Sequence, residues 1–192
     1  DLDHAGGAAS LARAMPVERR VASGHALDAL GPTERCVRGD RWTWDGVAFE
    51  WLHPGADALP KDNDRSCVLR VRAGSHTVLL TGDVERLAEA ELLEHASPGR
   101  VDVLLVPHHG SRTSSTAALV AATRPSWALV PSGHRNRWGF PKPDVVQRWQ
   151  AAGSRVLTGS ATGAIEFELH PGRPIPAPRL WRIERRRFWH DP

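Results

Sequence analysis

Three stretches of this 192-residue sequence set oxygen and nitrogen donors beside runs that read as regular structure. Asp3 and His4 stand just before Gly6-Gly7 and an alanine-rich stretch. Asp83 follows Val78-Leu79-Leu80-Thr81-Gly82. His108 and His109 follow Val103-Leu104-Leu105-Val106. Carboxylate oxygens together with imidazole nitrogens suit borderline divalent ions such as zinc or manganese. Each stretch has a plainer reading when taken alone. An aspartate placed like Asp83 caps the helix that follows it, a His-His pair is a polar loop element, and Asp3-His4 says little. Three such stretches, each at an element boundary, point toward a metal site, because a strand end holds its terminal side chain rigidly.

The elements that must position these groups follow from periodicity. Ala8, Leu11, Ala12 and Met15 recur at helical spacing, which puts His4 in a loop ahead of a helix. Trp42 and Trp44 alternate up to Asp45-Gly46, and Val47, Phe49 and Trp51 alternate after it, which is a hairpin pattern. Cys67–Arg72 and His76–Thr81 form a second hairpin around Ala73-Gly74-Ser75. Val84, Leu87, Ala88, Leu92 and His95 then read as an amphipathic helix closed by Pro98-Gly99. Val101–Val106 and Trp127–Val130 are short apolar runs, as in strands covered on both faces. Helices are expected over Ser114–Thr123 and Asp144–Ala152, with strands over Arg155–Thr158 and Ala164–Leu169. Hairpins followed by alternating strands and helices make a mixed α/β layout, in which sites gather at strand ends along one edge of the sheet.

Composition narrows the field. An apolar fraction of 41% and a charged fraction of 24% describe a globular chain. No run of 18 apolar residues exists and no signal peptide is visible. The two cysteines, Cys36 and Cys67, make neither a disulfide framework nor a zinc ribbon; one bridge is possible, and two separate buried thiols are the expectation. The net charge of +3 is unevenly placed. Between Pro171 and Pro192 six arginines meet two acids, leaving the body nearly neutral. Two units are expected, a domain over 1–170 and a Pro/Arg-rich basic tail over 171–192. The tail reads as extended at its prolines and loosely packed beyond them. Its interleaved Trp181, Phe188, Trp189 and arginines also fit a nucleic-acid strand by stacking and charge.

The motifs together resemble a known family. Asp1-Leu2-Asp3-His4-Ala5-Gly6-Gly7 resembles the metal-binding opening of metallo-β-lactamase-fold hydrolases, and more closely its variant in the ComEC family of competence DNA-uptake channels. Asn63–Leu69, Leu79-Leu80-Thr81-Gly82-Asp83, Asp102–Thr113 and Asn136–Pro143 resemble that family's next segments, in order, up to about residue 168. The resemblance implies an αββα sandwich of the metallo-β-lactamase type, here N-terminally truncated, since the motif's leading histidine would precede Asp1. It implies a metal site of Asp1, Asp3, His4, Asp83, His108 and His109 holding one or two zinc or manganese ions. Asp83 would bridge and Asp3 would orient the attacking water or take its proton. It implies hydrolysis of phosphodiester bonds in the DNA strand that is not taken up. Ser111, Arg112, Ser114, Asn136, Arg137 and Lys142 would hold phosphates. The partners implied are single-stranded or unwinding DNA and the membrane channel portion of the same polypeptide, with no small organic cofactor. The whole would be an inner-membrane protein with this domain facing the periplasm.

Two positions depart from the family pattern. Phe140 stands where a histidine is usual, with His134 nearby in the same loop, and Asp62-Asn63 stand where related enzymes carry another histidine. Two other functions stay open: a catalytically silent DNA-binding or structural domain of the same channel, and a stand-alone metallohydrolase for a small substrate.

Overall fold

The structure is a computed structural model that describes residues 2–56 and 59–188. Asp1 of the opening motif and Trp189 of the tail lie outside the described residues. The chain begins with two short helices, α1 (Leu2–Ala5) and α2 (Ala8–Ala14). His4 therefore sits within a helical turn, not in a loop ahead of one. A small parallel pair follows, β1 (Val21–Ala22) with β2 (Glu34–Arg35).

The main sheet starts with two hairpins. Strand β3 (Arg41–Trp44) turns into β4 (Val47–His53) through Asp45 and Gly46, both at positive φ (48° and 77°). A two-residue turn needs that conformation at both positions to match the twist of its strands. Strand β5 (Val68–Ala73) then pairs antiparallel with β4 and with β6 (His76–Leu80). From β6 onward the pattern changes to crossovers: α3 (Arg86–His95), β7 (Val103–Leu105), α4 (Ala117–Thr123), β8 (Trp127–Val130), α5 (Pro143–Ala151) and β9 (Arg155–Thr158). The seven strands lie in chain order, β3 to β9, antiparallel up to β6 and parallel from β6 to β9. Helix α4 begins three residues later than its apolar pattern suggests, because the Thr116 hydroxyl caps Leu119 N–H and fixes the start there.

One core lies between the sheet and helices α3 to α5. Leu79, Leu104, Ala128 and Val130 meet Ala88, Leu92, Leu119, Val120, Val145 and Trp149, all buried. Alternation along β6, β7 and β8 sends these residues to the helical side and Val78, Val103 and Leu129 to the other. Because β6, β7 and β8 run parallel, their C-terminal ends open on the same edge of the sheet. That edge carries Asp83, His108 and His109.

Two expectations are corrected. Cys36 and Cys67 are joined in a disulfide, with Cα atoms 5.9 Å apart, instead of standing as separate thiols. The sheet brings the start of β5 against the segment after β2, at a distance a bridge spans without backbone movement. The tail is not wholly loose. Helix α6 (Gly159–Thr162) is followed by β10 (Ile165–Glu166), which pairs antiparallel with β11 (Arg179–Leu180), and α7 (Trp181–Glu184) packs on α6. Trp181 Nε1 donates to Glu166 at 2.8 Å, so an aromatic residue read as a strand-binding element helps anchor the tail. Only Ile165–Glu166 of the strand expected over Ala164–Leu169 is paired. Among the described residues no helix is long and apolar enough to cross a membrane.

Candidate metal centre

Four side chains converge at the sheet edge. Ligand atoms of Asp3, His4, Asp83 and His109 all lie within 4.8 Å of one another. His4 Nε2 is 3.1 Å from Asp83 Oδ2, and His109 Nε2 is 3.3 Å from Asp3 Oδ2 and 3.6 Å from Asp83 Oδ1. Asp83 is almost fully buried, whereas Asp3 and His4 are exposed at the mouth.

The protonation of His109 follows from its partners. Its Nδ1 lies 2.7 Å from the carbonyl oxygen of Pro131, at the end of β8. A carbonyl only accepts, so Nδ1 carries the proton. In the neutral ring Nε2 is then a lone pair aimed at two carboxylates. Acceptors that face one another this closely repel unless a cation lies between them, either a metal ion or a proton on Nε2 that makes the ring an imidazolium. This is also how a metal-ligating histidine is usually oriented, by a carbonyl behind its other nitrogen. The donor set, two imidazole nitrogens and two carboxylates, therefore fits a divalent ion.

The backbone is shaped to make this possible. His108 and His109 both have positive φ (46° and 52°), a conformation rare for residues other than glycine and typical of functional sites. The turn is held from three sides. His108 N–H donates to Gly82 O at 3.1 Å, Ser111 N–H to His108 O at 2.8 Å, and Lys142 N–H to Gly110 O at 2.9 Å. Any side chain at Gly110 would strain the turn, since its φ is +80° and a Cβ there would fall 2.6 Å from Pro141 Cβ. Asp83 is held by Ser66, whose hydroxyl accepts its N–H at 3.1 Å. Ser66 adjoins Cys67, so the disulfide and the site share one segment.

Asp83 does not cap α3. The capping carboxylate is Asp64, from the loop before β5, whose Oδ1 accepts the N–H groups of Glu85 (3.0 Å) and Ala88 (3.3 Å). This frees Asp83 for the cluster. Burial pushes the Asp3 carboxyl up, but its own backbone N–H and the neighbouring His4 and His109 outweigh that and hold it below the usual carboxylate range.

His108 is turned elsewhere. Its Nδ1 faces Glu85 Oε1 at 3.2 Å and the Thr113 hydroxyl at 3.3 Å, and it is not one of the four convergent donors. Burial raises the Glu85 carboxyl, and Lys61, Thr113 and His108 more than reverse it. Phe140 packs edge-on to His108 (ring centroids 5.7 Å) and stacks on His109 (6.4 Å). His134 is exposed in the loop beyond. Asn63, with Asp62, borders a hollow of about 680 Å³ that reaches His4 and Asp83.

The residues expected to hold phosphates are mostly occupied within their loops. Ser114 Oγ donates to Pro107 O, and the Ser111 hydroxyl pairs with that of Thr113; both serines are buried. Asn136 bonds Gly133 O, Phe140 O and Phe140 N–H, which makes it the brace of the 133–140 loop. Arg112 pairs with Asp144 at 2.9 Å, and Lys142 Nζ donates to Trp138 O at 2.6 Å. Arg137 lies over the Trp138 ring. Asp64, Ser66 and Glu85 escape a sequence reading, since a polar residue in a loop gives no sign of which distant N–H or ring it will meet. The backbone carbonyl of Pro131 gives no sequence signal at all.

A family pattern described as the metallo-beta-lactamase superfamily matches residues 1–134. Recombination protein 2 of Haemophilus influenzae is 35% identical over 173 residues, covering 90% of this chain and 22% of its own length. Competence protein ComA of Neisseria gonorrhoeae is 39% identical over 133 residues, covering 69% of this chain and 19% of its own length. The chain thus spans about a fifth of the length of these relatives. Igni18, a metallo hydrolase of Ignicoccus hospitalis, superposes with a TM-score of 0.56 over 90% of this chain and 74% of that one, at 16% identity, a likeness of fold. The donors at the ends of β6 and β7 fall inside the matched region, so sheet, site and sequence agree: the chain belongs to the metallo-beta-lactamase superfamily, in the form carried by ComEC-type competence proteins.

Proposed function

We propose that this is a metal-dependent phosphodiesterase domain of a competence DNA-uptake channel, which cuts the DNA strand that is not transported. The observation that carries the reading is the His109 orientation, with its Nδ1 proton committed to Pro131 O and its Nε2 facing Asp3 and Asp83. A bound zinc or manganese ion supplies Lewis acidity toward a phosphoryl oxygen and lowers the pKa of a water. The chain's own groups do the rest. Asp83 and His109, fixed just beyond strand ends, would hold the ion. Asp3, half exposed beside them, is placed to accept a proton at its carboxylate. His4 closes the set from α1. Among the described residues four donors would serve one ion, with His108 Nδ1 turned toward Glu85.

The names of the relatives, a competence protein and a recombination protein, support DNA as substrate. The Cys36–Cys67 disulfide supports an oxidising compartment, and hence the periplasmic side of an inner-membrane protein. The test is a labelled single-stranded oligonucleotide incubated with the chain and Mn²⁺ or Zn²⁺. Cutting is expected with one of these ions, is abolished by chelator, and is absent from Asp83→Ala. Cutting that survives Asp83→Ala overturns the assignment.

A second reading, a catalytically silent DNA-binding domain of the same channel, is favoured by one observation. Phe140 places a ring without donors against His108 and His109. Under that reading metal is bound and DNA is left whole with either ion.

A further inference from the structure

Beside the metal centre a groove of about 790 Å³ runs between the 133–140 loop and helix α7. Among the described residues Arg135, Arg182 and Arg186 line it together with His134, and no acidic side chain does. Arg182 and Arg186 both border it from α7 and the residues just after that helix, so the docked tail forms one wall.

The 133–140 loop also carries a row of aromatic rings that leads to the metal donors. Trp138 lies nearly parallel to Phe140 (centroids 6.5 Å, planes 11° apart), and Phe140 lies nearly parallel to His109 (6.4 Å, 25°). The outermost ring, Trp138, is 55% exposed, even though the Arg137 guanidinium sits 4.3 Å from its centroid. A large exposed aromatic ring is costly to leave in water. This one is held in a set orientation: Asn136 braces the loop through three bonds, and Lys142 ties the Trp138 carbonyl. A rigid, exposed ring beside an arginine-lined groove has the two parts of a single-strand site, a stacking platform and a cationic track.

We infer that this groove is a track for single-stranded nucleic acid, beside which an unpaired base stacks on Trp138, the loop neighbour of the lining residues Gly139 and Phe140, while Arg182 and Arg186 hold the phosphates that follow. A duplex hides its base faces in its own stack and gains only the phosphate contacts. The inference rests on the proposed nuclease reading and extends it: the row of rings sets which strand enters and directs its backbone toward Asp3 and Asp83.

The test is fluorescence anisotropy with a labelled phosphorothioate oligo-dT, which resists cutting, and a blunt duplex of the same length, using the metal-loaded chain. The single strand is expected to bind more tightly than the duplex. Trp138→Ala should weaken single-strand binding about tenfold, Trp138→Phe should restore most of it, and neither should alter duplex binding. The double variant Arg182→Ala with Arg186→Ala should weaken both ligands and lower the salt slope for the single strand by about 1.4. Three results overturn the inference: equal affinity for the duplex, unchanged binding by Trp138→Ala at unchanged melting temperature, or binding of neither ligand. An acidic peptide that competes fully with oligo-dT while Trp138→Ala is neutral also overturns it, in favour of a protein partner. Cleavage is scored separately on ordinary DNA. Trp138-dependent binding without cutting removes the nuclease reading and keeps the track, while cutting indifferent to Trp138 does the reverse.

Discussion

At the scale of residues, the site depends on a few fixed orientations. Asn136 is an example: its carboxamide holds three backbone groups of the loop that carries Trp138 and Phe140. Asn136→Ala should cost about 1–2 kcal/mol in urea unfolding. Phe140 offers a gain-of-function test, since its ring packs against those of both His108 and His109. Phe140→His adds a nitrogen donor there, and the expected outcome is a rise in bound metal from one ion toward two per chain, measured by elemental analysis after dialysis. An unchanged content shows that His108 stays committed to Glu85. Asp83 and His109 were legible in the sequence because each follows an apolar run at a strand end, whereas Asp3 was legible only through the resemblance of the opening motif. The role of His108 was not. Two adjacent histidines look equivalent in a sequence, and only the left-handed turn at both positions sends one to Pro131 and the other to Glu85.

At the scale of elements, the helices are tied down by carboxylates from elsewhere. Glu89 on α3 is fully buried and accepts the N–H groups of Ser115 and Thr116 at the start of α4. Glu89→Ala leaves both donors unpaired and should cost about 1–3 kcal/mol. Burial pushes the Glu89 carboxyl above the ordinary glutamate range, opposed by the hydroxyl and N–H of Thr116, the N–H of Ser115 and the charge of Arg148. The folded state therefore keeps this proton longer than the unfolded chain, so the Glu89 contribution to stability falls as pH rises through that interval. Glu89→Gln removes the titration, and the variant should gain on the wild type as pH is raised. Denaturant curves for the two proteins across that range supply the check, and parallel pH profiles contradict the assignment. Apolar periodicity revealed α3, α4 and α5, because each buries one face. It did not reveal that α3 is capped by Asp64, a residue more than twenty positions upstream of the helix start.

At the scale of the whole molecule, the sheet was largely readable. Asp45-Gly46 and the turn at Gly74 mark antiparallel neighbours, and the change to strand–helix alternation after Asp83 marks the parallel half. The Cys36–Cys67 bridge and the return of the tail onto Ile165–Glu166 were not readable, since both join segments with no periodic signal. The disulfide closes a separation of 31 residues. By chain entropy, Cys36→Ser with Cys67→Ser should cost about 3–4 kcal/mol. It should also loosen Ser66, and with it Asp83, which would appear as weaker metal binding. Asp3, His4, Asp83 and His109 are proposed to form one divalent-metal site. Its most direct measurement is the metal content of the chain, after dialysis against Mn²⁺ or Zn²⁺ and then buffer, for the wild type, Asp83→Ala and His109→Ala. About one ion per wild-type chain, lost from both variants while their folds persist, is the predicted result; a metal-free wild type, or undiminished metal in both variants, contradicts it.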